Sequence, residues 1–246
     1  MEYVIGLDWA KNGWACCQLW IGPGKPPMIH RLAADGPEIP EILKMAARVV
    51  ADAPIGLPEC QKIAQLRPCD RGARAWVGSD LQETIQPVVT QLELEQWRDG
   101  SIERRGGHLR GLLPAISSVD QLLGKGVEVL ESHPELVFAA IAGLQPPRSL
   151  KKTTLHGVLM RLDLLRRHNL DLTEADEGSD LLSAIDVLDA GAMALVALAW
   201  WRSGEGLQVI RSEDGDPVPL AGSRKNLMAL PDGAIDPRAE QCPVAP

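Results

Sequence analysis

Tyr3-Val4-Ile5-Gly6-Leu7-Asp8-Trp9 and Gly13-Trp14-Ala15-Cys16-Cys17-Gln18-Leu19-Trp20 open the chain, and their reading decides the fold. Both runs are apolar and rich in strand-forming residues, so each reads as a β-strand. Asn12-Gly13 between them is the strongest short hairpin signal, because both residue types tolerate positive φ. Residues 28–33 follow the turn-rich Gly22-Pro23-Gly24-Lys25-Pro26-Pro27 and read as a third strand. Ile39, Ile42, Leu43 and Ala46 recur at helical spacing, with Pro40 acceptable in the first turn. Residues 48–53 read as a fourth strand, broken by Pro54-Ile55-Gly56-Leu57-Pro58.

Further along, residues 60–111 are less periodic and more polar. They predict an insertion over one face, with a helix near 70–77 and a loop at Arg104-Arg105-Gly106-Gly107. A helix is expected over 109–123 and a fifth strand over 126–131. Helices are expected from Pro134, over 152–167 and over 179–201. From about Lys225 the prolines Pro231, Pro237, Pro243 and Pro246 predict a tail. The expectation is one α/β domain over 1–224 with a tail over 225–246. Its mixed five-stranded sheet has three antiparallel strands, then two strands parallel to the first, with helices on both faces.

Composition narrows the function classes. The chain has 246 residues, 45% hydrophobic and 24% charged, which excludes wholesale disorder. Only nine residues are aromatic, seven of them Trp, which disfavours a Phe- and Tyr-rich base-stacking sheet. The five cysteines (16, 17, 60, 69 and 242) contain no CxxC pair, which disfavours a disulfide framework or cysteine zinc site and fits a reducing cytosol. No signal-peptide pattern is apparent, and the apolar stretch 190–201 is shorter than the roughly 20 residues a bilayer requires, so no membrane partner is expected. Net charge is −8, distributed unevenly: residues 60–170 carry 15 Lys and Arg against 12 Asp and Glu, whereas the remainder carries 10 against 21. Charge alone describes an ordinary acidic surface with a mildly basic middle. GxxxxGK[ST], a GxGxxG following a strand and a serine elbow are all absent.

Four acidic sites stand out by placement. Asp8 lies in an apolar strand, Asp52 just before a strand breaks, and Glu131 at a strand end; Asp186 and Asp189 share a face at the start of an apolar helix. Each alone reads as a turn cap, a loop brace or a helix-start acid. Together they read differently, because an unpartnered buried carboxylate is costly and several such groups share a partner or a metal. If strands one, four and five are neighbours, Asp8, Asp52 and Glu131 converge and the last helix brings Asp189 across. Hard oxygen ligands suit Mg²⁺ or Mn²⁺. His133 reads as a phosphate donor, an orienter of Glu131 or a helix-start hydrogen bonder. Lys151 and Lys152 read as phosphate neutralisers or solvated loop residues. Arg67, Arg71 and Arg74 read as a backbone-tracking helix face or as partners of Asp70.

Several of these residues fall in an order that resembles a known family. Gly6-Leu7-Asp8, the run 52–58, Arg67…Asp70…Arg74, Glu131-Ser132-His133-Pro134-Glu135, Lys151-Lys152-Thr153…Gly157…Arg161 and Asp186-Val187-Leu188-Asp189-Ala190 resemble the predicted RNase H-like nucleases, domain of unknown function 429. The last segment is also similar to the final metal-binding helix of Holliday-junction resolvases. The resemblance implies an RNase H-like fold with a carboxylate metal site at Asp8, Asp52, Glu131 and Asp189, and Asp186 as a further ligand candidate. The expected activity is phosphodiester hydrolysis on nucleic acid, DNA or RNA, with two Mg²⁺ or Mn²⁺ ions about 4 Å apart. His133, Lys151, Lys152, Arg161, Arg67 and Arg74 are the substrate-binding candidates. The alternatives are a non-catalytic binding or regulatory module on the same fold and, more remotely, an actin-like phosphotransferase.

Overall fold

The computed structural model describes residues 2–11, 13–22, 24–33, 40–58, 66–77, 84–102, 111–142, 151–177, 182–203, 208–210 and 228–230. β1 (Tyr3–Ala10), β2 (Gly13–Trp20) and β3 (Met28–Ala33) form an antiparallel meander. β4 (Arg48–Ala51) runs parallel to β1 on its other side, and β5 (Val129–Glu131) runs parallel to β4. The spatial order is 5-4-1-2-3, and the strand orientations agree with the sequence expectation. A two-residue strand, β6 (Asp176–Glu177), extends the sheet beside β3. It is too short to leave a periodic signal in the sequence.

The helices are α1 (Glu41–Lys44), α2 (Pro68–Val77), α3 (Gln91–Arg98), α4 (Leu113–Gly124), α5 (Pro134–Ala142), α6 (Leu155–Arg167) and α7 (Ala184–Ser203). Strand alternation sorts them onto two faces. Val4, Cys17 and Val50 face a core shared with Phe138 of α5, Leu165 of α6 and Met193 of α7. Ile5, Leu7 and Val49 face the opposite core, with Leu43 of α1 and Val119 of α4. There the Trp14 indole donates to Ser118 Oγ at 2.9 Å, which ties β2 to α4 and satisfies a buried N–H.

α7 lies closest to the sheet. A Cβ on Gly6 would collide with the Ala194 nitrogen and the Ala190 carbonyl, and would lie 2.7 Å from the Met193 carbonyl carbon. The missing side chain lets the helix backbone rest on the central strand. Enclosed by β1, β2 and β4 on one side and by α5 and α6 on the other, α7 is apolar all round rather than on one stripe. It is long and apolar enough to cross a membrane by length and composition, and its burial beside the sheet accounts for that composition.

Several boundaries differ from expectation for local reasons. Gly13 is not the turn residue: it pairs with Ala10 inside the ladder, and a Cβ there would come 2.5 Å from the Leu32 carbonyl oxygen. Pro40 precedes α1 as its N-cap, and α1 is a single turn. Ile39 lies outside the described residues. Lys152 lies in a turn before α6, which Thr154 caps by accepting from Gly157 N. The insertion holds α3 as well as α2; Thr90 and Glu93 start α3 with a reciprocal capping box. The Arg104–Gly107 loop lies outside the described residues. Within the expected tail, β8 (Met228–Leu230) pairs with β7 (Gln208–Ile210), and the remainder of 225–246 lies outside the described residues.

Gly6→Ala is expected to cost about 3 kcal/mol or more, because the methyl meets helix backbone that cannot rotate away. Urea unfolding checks this; a loss under about 1 kcal/mol would show that α7 is free to shift.

Candidate functional site

Asp8 sits near the carboxyl end of β1, in line with Val4 and Gly6 on the α7 face. Asp52 comes alongside: its N–H donates to the Leu7 carbonyl at 2.8 Å, continuing the parallel ladder one step past β4. The contact at Gly6 places the first turns of α7, with Asp186 and Asp189, over the same end of the sheet. The electrostatics record this convergence. Burial pushes the Asp8 carboxyl well above the usual range; Asp52, Asp189 and Asp186 push it further, while Lys152 pulls it back.

Asp189 is 1% exposed, and both its oxygens are engaged. Oδ1 accepts from Arg161 Nη1 at 2.9 Å and Oδ2 from Lys152 Nζ at 2.9 Å. Burial still holds its pKa above the ordinary value, against Lys152 and Arg161. Arg161 also donates to Glu135 Oε2 at 2.6 Å and lies 4.5 Å from the centre of the Phe138 ring. Asp186 exchanges bonds with Ser183 at the start of α7: Ser183 N donates to Oδ2 at 3.1 Å, and Asp186 N donates to Ser183 Oγ at 3.2 Å. This reciprocal cap orients its carboxylate.

Glu131 does not join this group. It pairs with Ala51, which pairs with Leu7, so its side chain lies on the Leu7 face rather than the Asp8 face. There its oxygens accept from Arg67 Nη1 at 2.7 Å and Nη2 at 2.5 Å, and Oε2 also accepts from Ile55 N at 2.6 Å. Asp70 takes two more guanidinium bonds, at 3.0 and 2.8 Å. Arg67 Nη1 further donates to the Ile55 carbonyl, so this buried cluster clamps the loop that follows Asp52. The donor atoms of Cys69, Asp70 and Glu131 lie within 4.8 Å of one another, a set that could hold a metal ion. The guanidinium already supplies positive charge there, and burial raises the Cys69 thiol well above its usual pKa, away from the thiolate a metal requires.

The basic candidates divide the same way. Arg67 and Arg161, each 1% exposed and ion-paired, are internal braces rather than substrate contacts. Arg74 donates to the Ile85 carbonyl at 2.8 Å and braces the insertion. His133 Nδ1 accepts from Glu135 N at 3.2 Å, the helix-start role. Lys151 is exposed. Lys152, with Asp52, His133, Glu135, Arg67 and Glu131, lines a cleft of about 360 Å³ that joins the two acidic clusters at the sheet's carboxyl edge. Glu135 was not singled out from sequence as a site residue; its signal was the second acid of Glu131-Ser132-His133-Pro134-Glu135. Trp200 is buried, with Arg48 over its ring at 4.7 Å, whereas the adjacent Trp201 is exposed.

The profile of the family described as "Protein of unknown function (DUF429)" matches residues 6–214, and the chain belongs to that family. No curated protein and no solved structure matches the chain.

Two measurements probe the clusters separately. Because its native pKa is raised, Asp8 holds its proton to higher pH in the folded chain than in the unfolded one. Stability is therefore lost as pH rises above the unfolded carboxylate pKa of about 4. Metal-free Asp8→Asn is expected to melt above wild type near pH 8, by roughly 2–4 °C per kcal/mol of repulsion relieved, and level with it near pH 4. A lower melting temperature near pH 8 would refute the repulsion. Arg67→Met strips a buried pair of one partner and is expected to cost about 3–5 kcal/mol; chemical denaturation showing less than about 1 kcal/mol would remove Arg67 as the clamp.

Proposed function

We propose that this DUF429 member is an RNase H-like, metal-dependent nuclease that hydrolyses phosphodiester bonds in nucleic acid at the centre formed by Asp8, Asp52 and Asp189. The carrying observation is the convergence of Asp8, Asp52, Asp186 and Asp189 at one end of the sheet, where Asp8 is pushed towards its protonated form. The sheet order 5-4-1-2-3, with an antiparallel meander followed by two parallel strands, supports the fold assignment.

The donor set fits Mg²⁺ or Mn²⁺: it is all carboxylate oxygen and holds more negative charge than Lys152 and Arg161 offset. Asp8, Asp52 and Asp189 would hold the ions, with Asp186 within electrostatic reach. When bound, such ions supply a water of lowered pKa and neutralise the leaving oxygen. The protein's own groups do the positioning. Arg161 fixes Asp189 against Glu135, and the Arg67–Glu131 clamp fixes the turn after Asp52. Lys152 and His133 face the cleft through which a phosphate backbone would approach.

A panel of labelled single strands, duplexes, RNA–DNA hybrids and junctions with Mn²⁺ tests this. Wild type is expected to cut at least one substrate. Asp8→Asn and Asp52→Asn are expected to lose more than about 100-fold in rate, the most that outer partners of a metal ligand cost, while still binding nucleic acid. Glu131→Gln is expected to act through stability instead. If wild type cuts nothing and the Asp variants bind as it does, a non-catalytic binding module replaces the nuclease.

A further inference from the structure

We propose that Lys152 is a displaceable internal counter-ion: in the metal-free protein its ammonium stands where a divalent cation competes for Asp189, so cation binding and release of Lys152 into the cleft are one event. This rests on the metal-centre reading above and adds a switch carried by one side chain.

The two cations at Asp189 are built differently. Arg161 is 1% exposed, bonded at both ends to Asp189 and Glu135, and stacked on Phe138. A planar guanidinium held at both ends is a permanent brace. Lys152 bonds the other oxygen of Asp189 with a side chain 42% exposed. Its backbone lies in a turn rather than in α6, and among described residues its side chain is hydrogen-bonded to Asp189 Oδ2 alone. Its charge nevertheless acts on Asp8, and Asp52 and Glu135 act on it in turn. A compact ammonium on a flexible four-carbon stem is thus the mobile positive charge of an oxygen-rich centre. A divalent ion bound to the same carboxylates would repel it at short range. The same stem lines the cleft of about 360 Å³, so the displaced ammonium has an open volume on the side where substrate phosphate would arrive.

The test uses the full chain. Mn²⁺ is titrated calorimetrically into metal-free wild type, Lys152→Met and Lys152→Arg at fixed pH and ionic strength. Lys152→Met is expected to bind Mn²⁺ on the order of tenfold more tightly, because no like charge must be displaced. Lys152→Arg is expected to stay at or below wild-type affinity, which ties the effect to charge. In wild type, acetic anhydride labelling read by mass spectrometry is expected to rise at Lys152 when Mn²⁺ saturates, with the neighbouring exposed Lys151 as an unchanged internal reference. Equal or weaker Mn²⁺ binding by Lys152→Met overturns the proposal, as does unchanged Lys152 labelling at saturation. The labelling arm decides alone if Lys152→Met does not fold. If wild type binds no Mn²⁺, the metal-centre reading falls and takes this proposal with it. If wild type binds Mn²⁺ and Lys152→Met binds it no better, this proposal falls alone.

Discussion

The backbone of α7 resting on Gly6 is the contact on which the rest of the structure depends. A strand carrying any side chain there would hold the helix further off, and the acids of the first helical turns would rise with it. The spacing on both elements couples packing to chemistry. Asp8 is two residues beyond Gly6 and so on the same face; Asp189 immediately precedes Ala190, whose carbonyl touches Gly6. One close approach therefore sets both the depth of the core and the height of the carboxylates above the sheet. It also explains the run Ala190-Gly191-Ala192, where small side chains admit the sheet on one side and Leu165, Leu170 and Leu172 on the other.

The period of two along a strand then decides which acids can meet. β5 offers Glu131 and, one step on, Ser132, whose N–H continues the ladder to the Ala51 carbonyl. Glu131 falls on the Leu7 face and becomes half of a buried ion-pair cluster. The acid that reaches the α7 face is Glu135, carried there by the helix that starts at Pro134. One segment, Glu131-Ser132-His133-Pro134-Glu135, thus feeds both clusters. Its two glutamates serve opposite faces because a strand ends and a helix begins between them.

This explains what was legible in the sequence and what was not. The hairpin, the five strands and the apolar character of α7 follow from apolar runs and turn residues, which are local signals. The approach of Asp52 and Asp189 to Asp8 came from supposing that strands one, four and five are neighbours, a supposition that brought in Glu131 as well. The face occupied by Glu131 was not legible, since it depends on a one-residue register choice that sequence spacing does not resolve. Arg67 read either as a backbone-tracking residue or as a partner of Asp70, and it pairs with Asp70; its bond to Glu131 and those of Arg161 to Asp189 and Glu135 come from tertiary packing. α3 carried a readable start in Thr90-Gln91-Leu92-Glu93, where the capping box outweighs a weak apolar pattern. β6 carried none.

The two acidic clusters handle the same physical problem in opposite ways, one with its charges closed off internally and the other with them incompletely compensated. Around Glu131 and Asp70 one guanidinium makes bonds to both carboxylates and to the Ile55 carbonyl, so its donors are consumed inside the protein. Such a cluster loses stability if one partner is removed. Around Asp8 the compensation is incomplete: Arg161 is committed to Asp189 and Glu135, Lys152 is half in solvent, and Asp8 and Asp52 face each other across two neighbouring strands. The protein tolerates this by shifting Asp8 towards its neutral form. A fold selected for stability alone would bury an apolar side chain at that strand position, since replacing buried charge by well-packed hydrophobes is neutral or stabilising. The excess of carboxylate over internal cations at this end of the sheet is the observation on which the proposed divalent-cation centre rests.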